Sequence, residues 1–367
     1  MPVISFARGV PAPECLPVKE LADCARAVIE RDGPSVLNYG PVGGYGPLRE
    51  WLAELHGVSP GRVLVTNGSL QGLDLLLGHF AHRGRILVEA PTYDRPLKIA
   101  ARLRAELRAI PQDDEGLDVD ALEAELRRDP APAFLYALPT FQNPSGRTLP
   151  LERRRRLVEL AHEYRLTVLE DDPYGRVRFE GEAPPTLFEL DGGQRVFYSS
   201  SFSKVVAPGL RVGYFVLGQE LARAVEGVAV NVYLSPSIVA QAIAFEFVRR
   251  GNLEPNVARV AGLLRLRRDA MLAALERELP GARWSRPEGG YFLWLDLPPG
   301  VEAEAALALG EEAGVTFVKG ADFFPGGAGG RGSARLAFSY VSPQEIEEGV
   351  ARLAAVVSRL EAARATA

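Results

Sequence analysis

The sequence predicts an α/β fold, a mostly parallel sheet covered by helices with a smaller α+β unit beside it, and three observations carry that reading. Between Arg62 and about Tyr214, short apolar runs alternate with amphipathic ones. The apolar runs lack the period-two alternation of a half-exposed strand, as expected where helices cover both faces of a sheet. From Pro236 to Leu279 the pattern turns almost wholly helical, and strand-like runs return only beyond it. The 367 residues suggest two or three domains at roughly 150 residues each, with ample length for a large core.

In chain order, the first forty residues are rich in Pro and Gly around one helical stretch, Val18 to Glu30, and read as an arm that docks on something larger. RVLVTN then reads as a strand before a helix from Ser69, RILVEA as a strand before a helix after Tyr93, and AFLYALP as a strand before a helix from Leu151. LTVLED, RVFYSS and RVGYFVL follow as further strands, and Gly251 with Pro255 breaks the next stretch into two long helices. YFLWLDL, VTFVKG and ARLAFSY are the strands of the smaller unit, with helices around Glu302 to Ala313 and Pro343 to Leu360. The expected division is an arm that is also part of the small domain over 1–38, a large domain over 39–265 and a small C-terminal domain over 266–367. GGAGGRG at 326–332 reads as a flexible loop.

Composition removes several classes. At 47% hydrophobic and 24% charged, with a net charge of −5, the chain is too apolar to be disordered. No run approaches the roughly 18 apolar residues of a membrane span, and no membrane partner is expected. Mild acidity with both signs throughout argues against a nucleic-acid binder. Arg153 to Arg156 reads as a solvated helix face with acidic partners. Cys15 and Cys24 lack CxxC spacing and suggest neither zinc nor a disulfide framework, which points to the cytoplasm. The start, MPVISFARGVPAPE, has an arginine and prolines where a secretory signal has an apolar core. His79 and His82 stand i, i+3 with no third ligand, so no metal is expected.

Four constellations carry chemistry. Of the 42 basic residues only Lys19, Lys98, Lys204 and Lys319 are lysines, and Lys204 sits in SSSFSKVVAPGLRVG between two strands. A lysine that catches a carbonyl needs a partly desolvated setting, and small hydroxyl neighbours leave room for a cofactor. Seven residues on, Arg211 offers a planar fork suited to phosphate. Glu170-Asp171-Asp172-Pro173-Tyr174 ends a strand, where ligands of open parallel sheets bind, so Asp171 and Tyr174 share one pocket. Asn143-Pro144-Ser145-Gly146 also follows a strand. In Thr66-Asn67-Gly68-Ser69 a strand gives way to a helix whose free N–H groups form a phosphate seat.

On SFSKxxxPGLRxG, NPSG and DDPY at these spacings, with similarity from ISFARGVPAPE to ARLAFSY, the chain resembles the fold-type-I pyridoxal-phosphate enzymes of the class I/II aminotransferase group. It is most similar in flavour to the α-aminoadipate and kynurenine aminotransferases and to the transaminase-like half of MocR-type regulators. The resemblance implies the fold-type-I architecture, pyridoxal 5'-phosphate as cofactor, and a homodimer with active sites at the subunit interface. It implies that Lys204 bonds the cofactor's aldehyde and shuttles the substrate proton, while Asp171 faces the pyridine nitrogen and stays ionised against it. Tyr174 and Asn143 would bond the cofactor's 3-oxygen, with Tyr93 stacked on the ring. Gly68, Ser69, Leu70, Ser201, Ser203 and Arg211 would hold its phosphate, Leu70 through its backbone N–H alone because leucine replaces the glutamine that relatives have there. Arg335 would clamp the substrate α-carboxylate, with Asn143 and Gly9 beside it.

Tyr39 resembles the tyrosine such enzymes lend to the neighbouring subunit's phosphate, with Tyr45 its nearest rival. Arg8 stands in ARG where relatives have AGG, and is expected to read a substrate carboxylate. The implied reaction is a ping-pong exchange between an L-amino acid, 2-aminoadipate-like, aromatic or branched, and a 2-oxo acid such as 2-oxoglutarate. A lyase or decarboxylase, a MocR-type sensor and an inert homologue remain the alternatives on sequence alone.

Overall fold

The computed structural model describes residues 2–128 and 130–365. Its large sheet runs, edge to edge, Val63–Thr66, Gly213–Val216, Val196–Ser201, Thr167–Asp171, Phe134–Ala137, Ile86–Ala90, Leu107–Asp113 and Gly116–Leu117. The five strands from Val196–Ser201 to Leu107–Asp113 are mutually parallel, and the others pair antiparallel. Alternate residues of each strand enter separate cores. Leu64, Val88, Phe134, Leu169 and Phe215 pack on one face, and Val65, Leu87, Leu135, Val168 and Val216 on the other. Both faces are covered, which is why these runs show no polar alternation.

Leu107–Asp113 has no counterpart among the predicted strands. Pro111 lies in it and only Ile110 is buried, so its sequence carries the polar character of an outer strand rather than the apolar run of a central one. The helices Gly46–Leu55, Val119–Leu126 and Gln219–Tyr233 are likewise additions. The first arm helix extends to Val36 and packs Val28 and Val36 against Ile238 and Ala242.

The smaller sheet is antiparallel, in the order Arg283–Trp284, Phe292–Asp296, Ser333–Ala337, Val318–Lys319. Its core includes Ile4 and Phe6 of the arm, and Ile4–Ser5 pairs in parallel with Val315–Thr316. The arm therefore crosses from the large sheet to the small one, carrying residues 7–10 past the ends of the parallel strands. Leu253–Glu278 and Pro343–Ala365 lie against each other behind the small sheet. Among the described residues no helix is long and apolar enough to cross a membrane.

One reading of the arginine run is corrected. Arg153 and Arg156 pair with surface carboxylates, but Arg154 is wholly buried. Its Nε donates to Leu149 O at 2.7 Å, and its Nη2 donates to Pro139 O and Thr140 Oγ1, both at 2.7 Å. Its Nη1 stands 3.6 Å from Oε1 of the equally buried Glu170. A helix with three solvated arginines hides the fourth because that position faces the sheet every 3.6 residues. Arg154 thereby fastens the two ends of the 139–149 loop to the strand that ends on Asp171. Arg154→Met is expected to cost about 3–5 kcal/mol, because Glu170 is left buried without its cation. Urea unfolding at neutral pH, compared with the parent chain, measures it.

Candidate active site

The parallel strands end on one side of the sheet, and the segments leaving them supply Tyr93, Asn143, Asp171 and Lys204. They open into a cleft of about 770 Å³, walled across the way by Ala7 and Gly9 of the arm and by Phe292 and Arg335 of the small sheet. Gly9, Ser69, Leu70, Tyr93, Asn143, Asp171, Tyr174, Ser201, Ser203, Lys204, Arg211 and Arg335 all line it.

Lys204 Nζ donates to Gly9 O at 2.7 Å and lies 5.0 Å and 5.7 Å from the ring centroids of Tyr291 and Tyr174. Burial, followed by the charges of Arg335 and Arg211, brings its pKa down to about 8. An amine so placed is partly neutral near physiological pH and therefore nucleophilic. A Cβ at Gly9 would come 2.5 Å from Phe292 Cζ, so the close passage of the arm depends on glycine there. Tyr291, whose hydroxyl donates to Lys204 O at 3.1 Å, was not among the predicted residues.

Asp171 is pushed up to about 6 by burial, with hydrogen bonds from Tyr136 and Ser199 pulling the other way and Asp172 adding to the rise. Its Oδ2 accepts from Tyr136 Oη at 2.6 Å, whereas its Oδ1 is buried with no hydrogen-bond partner among the described residues. A buried carboxylate oxygen without a donor is costly. A protonated pyridine N–H supplies both the missing donor and the missing positive charge, so pyridoxal phosphate fits at this end. Tyr136 was missed as well, though a tyrosine within the otherwise apolar strand AFLYALP was a visible signal.

The other end suits an anion. Gly68, at φ +85°, caps the helix Ser69–Phe80, and a Cβ there would come 2.2 Å from Arg211 Nη2. A Cβ on Gly213 would come 2.1 Å from Ser69 N. Two glycines thus let a guanidinium and a helix N-terminus approach one spot, which is the donor set of a phosphate seat. Gly68 lies beneath this seat rather than on the cleft wall.

Arg335 is 8% exposed, and its guanidinium carbon lies 4.2 Å and 5.0 Å from the ring centroids of Phe292 and Phe323. Nη1 donates to Asn143 Oδ1 at 3.1 Å and Nη2 to Ala7 O at 2.8 Å, while Nε has no partner among the described residues. Burial brings its pKa down to about 10, and no carboxylate forms an ion pair with it among the described residues. This is a seat for an incoming carboxylate. Buried Glu89 braces the same region: its Oε2 accepts from Leu138 N and Gln142 Nε2, both at 3.1 Å, and Gln142 Nε2 also donates to Pro91 O at 2.8 Å. The loops bearing Tyr93 and Asn143 are tied together by that pair.

Two predicted residues stand elsewhere. Tyr39 is 79% exposed and outside this cleft, while Tyr45 is half-buried against Phe245. Arg8 is exposed, with its guanidinium 5.2 Å from the centroid of the Tyr340 ring, and it does not line the cleft. Cations absent from the prediction do line it: Arg95 and Lys98.

The family profile for aminotransferase class I and II matches residues 3–353. The chain is 38% identical to aromatic-amino-acid aminotransferase 1 of Thermococcus litoralis, over 97% of this chain and 88% of that protein. It is 40% identical to the 2-aminoadipate transaminase of Thermus thermophilus, over 96% and 89%. Among solved structures, LysN, the α-aminoadipate aminotransferase of Thermus thermophilus complexed with N-(5'-phosphopyridoxyl)-L-leucine, superposes with a TM-score of 0.93 at 39% identity, covering 98% of this chain and 93% of that one. The kynurenine aminotransferase of Pyrococcus horikoshii gives 0.94 at 36%, covering 98% and 92%.

Proposed function

The chain belongs to the class I and II aminotransferases as a pyridoxal-phosphate-dependent transaminase, and from that premise we propose which residues of the cleft do the work and on what. The observation that carries the reading is one cleft holding a buried amine of lowered pKa and, among the described residues, a buried carboxylate oxygen without a donor and a buried guanidinium in no ion pair. When bound, the cofactor supplies an electron sink for the charge left on the substrate Cα. Asp171 Oδ1 holds the ring nitrogen in its protonated form, and Tyr136 fixes that carboxylate. Ser69, through backbone and hydroxyl, and Leu70, through backbone, bind the phosphate over a Gly68 that leaves room for Arg211, joined by Ser201 and Ser203. Tyr93 covers the ring face, and Tyr174 and Asn143 bond its 3-oxygen. Arg335 takes the α-carboxylate of the amino acid, which orients the Cα–H bond toward Lys204. Lys204 Nζ accepts that proton and returns it, held between turns by the Gly9 carbonyl.

A 2-oxo acid then takes the amino group by the reverse path in the same seat, so the kinetics are ping-pong. The donors are 2-aminoadipate-like, aromatic or branched, and the acceptor is 2-oxoglutarate; the relatives named for aromatic amino acids and 2-aminoadipate support that range. A homodimer fits the exposure of Tyr39, Leu37, Val232 and Leu234, with Tyr39 reaching the neighbouring phosphate. Cys15 and Cys24, both unpaired and buried, fit a cytoplasmic location, with neither nucleic acid nor membrane as partner.

The test is a panel of twenty amino acids against 2-oxoglutarate and pyruvate, on enzyme that also elutes at twice the chain mass. Glutamate formed from 2-aminoadipate, aromatic or branched donors is the expected result. Release of ammonia or carbon dioxide without glutamate overturns it.

A further inference from the structure

The cleft holds more positive charge than the cofactor and one carboxylate use. Arg211 lies at the phosphate seat, Lys204 at the chemistry and Arg335 at the α-carboxylate seat, but Arg95 and Lys98 also line the wall, from the helix Asp94–Leu103. Lys98 is accounted for: its side chain is 64% exposed and its Nζ donates to Asp94 Oδ2 at 2.5 Å. Arg95 meets the Tyr93 phenol but has no carboxylate within hydrogen-bond range among the described residues. Its nearest is also Asp94, whose Oδ1 stands 3.9 Å from Nε. The remaining acid of the wall, Asp322, is exposed and acts on Lys319.

The position of Arg95 is informative. It follows Tyr93 by two residues and shares a side-chain hydrogen bond with that phenol, countering the rise that burial and Asp94 impose on it. Asp94 and Tyr93 in turn act on Arg335. One guanidinium therefore sits on the large-domain side of the substrate space and the other on the small-domain side. The deeper one, Arg335, is nearly enclosed, while the side chain of Arg95 is 51% exposed at the mouth.

We propose that Arg95 is a specificity-determining residue that binds the distal carboxylate of dicarboxylic substrates, the 2-oxo and 2-amino diacids, while Arg335 holds the α-carboxylate. This rests on the transaminase cleft as assigned above. Exposure of Arg95 explains how one cleft serves two kinds of side chain. A charged guanidinium at the mouth can swing to solvent when an apolar side chain enters, and Val10 and Leu70, 40% and 37% exposed, offer that side chain apolar wall. A charge-assisted bond made only by diacids is worth roughly ten- to hundred-fold in affinity.

The experiment titrates the holoenzyme calorimetrically with glutarate and with pentanoate, five-carbon acids that differ in the distal carboxylate and carry no amino or oxo group to react. The parent enzyme is expected to bind glutarate at least about ten-fold more tightly. Arg95→Gln should bring that ratio close to one while leaving pentanoate affinity within about two-fold, and Arg95→Lys should restore part of it. In turnover, Arg95→Gln should raise KM for 2-oxoglutarate and leave that for 2-oxopentanoate unchanged. A glutarate preference that survives Arg95→Gln, or a loss shared equally by pentanoate, overturns the proposal. Failure of the amino-donor panel with an Arg95-dependent ratio intact would remove the two-half-reaction reading and keep this one.

Discussion

Lys204→Ala abolishes amino transfer, with kcat falling by about 10⁴-fold or more, because one side chain is asked both to bond the cofactor and to move the substrate proton. No other lysine is placed to substitute. Lys19 is exposed on the arm, Lys98 pairs with Asp94, and Lys319 pairs with Glu304. The stopped half-reaction is read by glutamate formation, and borohydride treatment should no longer fix the cofactor to the chain. Turnover above a hundredth of the parent rate would sink the assignment. The pH dependence follows from the same burial. The amine is lowered to about 8, so its neutral, nucleophilic fraction grows as pH rises through that value. Uptake of pyridoxal phosphate by cofactor-free protein should therefore accelerate from pH 7 to 9 and level off above. An unburied lysine would keep accelerating toward pH 10.

Asp171→Ala is expected to lower kcat by about 10³-fold, since on the proposed assignment the ring nitrogen loses the carboxylate charge that holds its proton. Asp171→Asn should do nearly as badly: an amide is neutral and cannot hold the cationic form. Asp171→Glu is expected to recover part of the activity by restoring the charge at a displaced position. Cofactor affinity should weaken with acid in the parent enzyme. Burial raises the carboxyl to about 6, so below that pH the proton sits on Asp171 and the attraction for a pyridinium is lost. Spectral titration of cofactor binding between pH 5 and 8 measures it. A Kd independent of pH across that range, together with an active Asp171→Asn enzyme, would show that the ring nitrogen is held by something else.

Much of this site was legible in the one-dimensional string. Lys204, Arg211, Asp171, Tyr174 and Asn143 lie within short segments that leave strand ends, and each segment carries its own turn chemistry, Pro-Gly in one and Asn-Pro in another. Arg335 was legible only by resemblance, since an arginine entering a strand after a glycine-rich loop is also the mark of an exposed strand. Tyr136, Tyr291 and Arg95 were not picked out. Tyr136 stood out as a hydroxyl in an apolar strand, but its partner Asp171 lies on another strand, and Tyr291 looks like an ordinary core aromatic until Lys204 arrives beside it. Arg8 stands outside the cleft lining: its neighbour Gly9 enters the cleft, but its own side chain turns to Tyr340.

The sequence alone determined the alternation of strands and helices, the two-sheet division and the motif residues, because periodicity and turn preference act over a few neighbouring residues. Only the tertiary structure decided which polar groups are buried and against whom. Tyr136 meets Asp171 across 35 residues and Lys204 meets Gly9 across 195. Burial is a property of the whole packed chain, and it is burial that lowers the amine of Lys204, raises the carboxyl of Asp171 and sinks Arg154 beneath a helix face that reads as solvated.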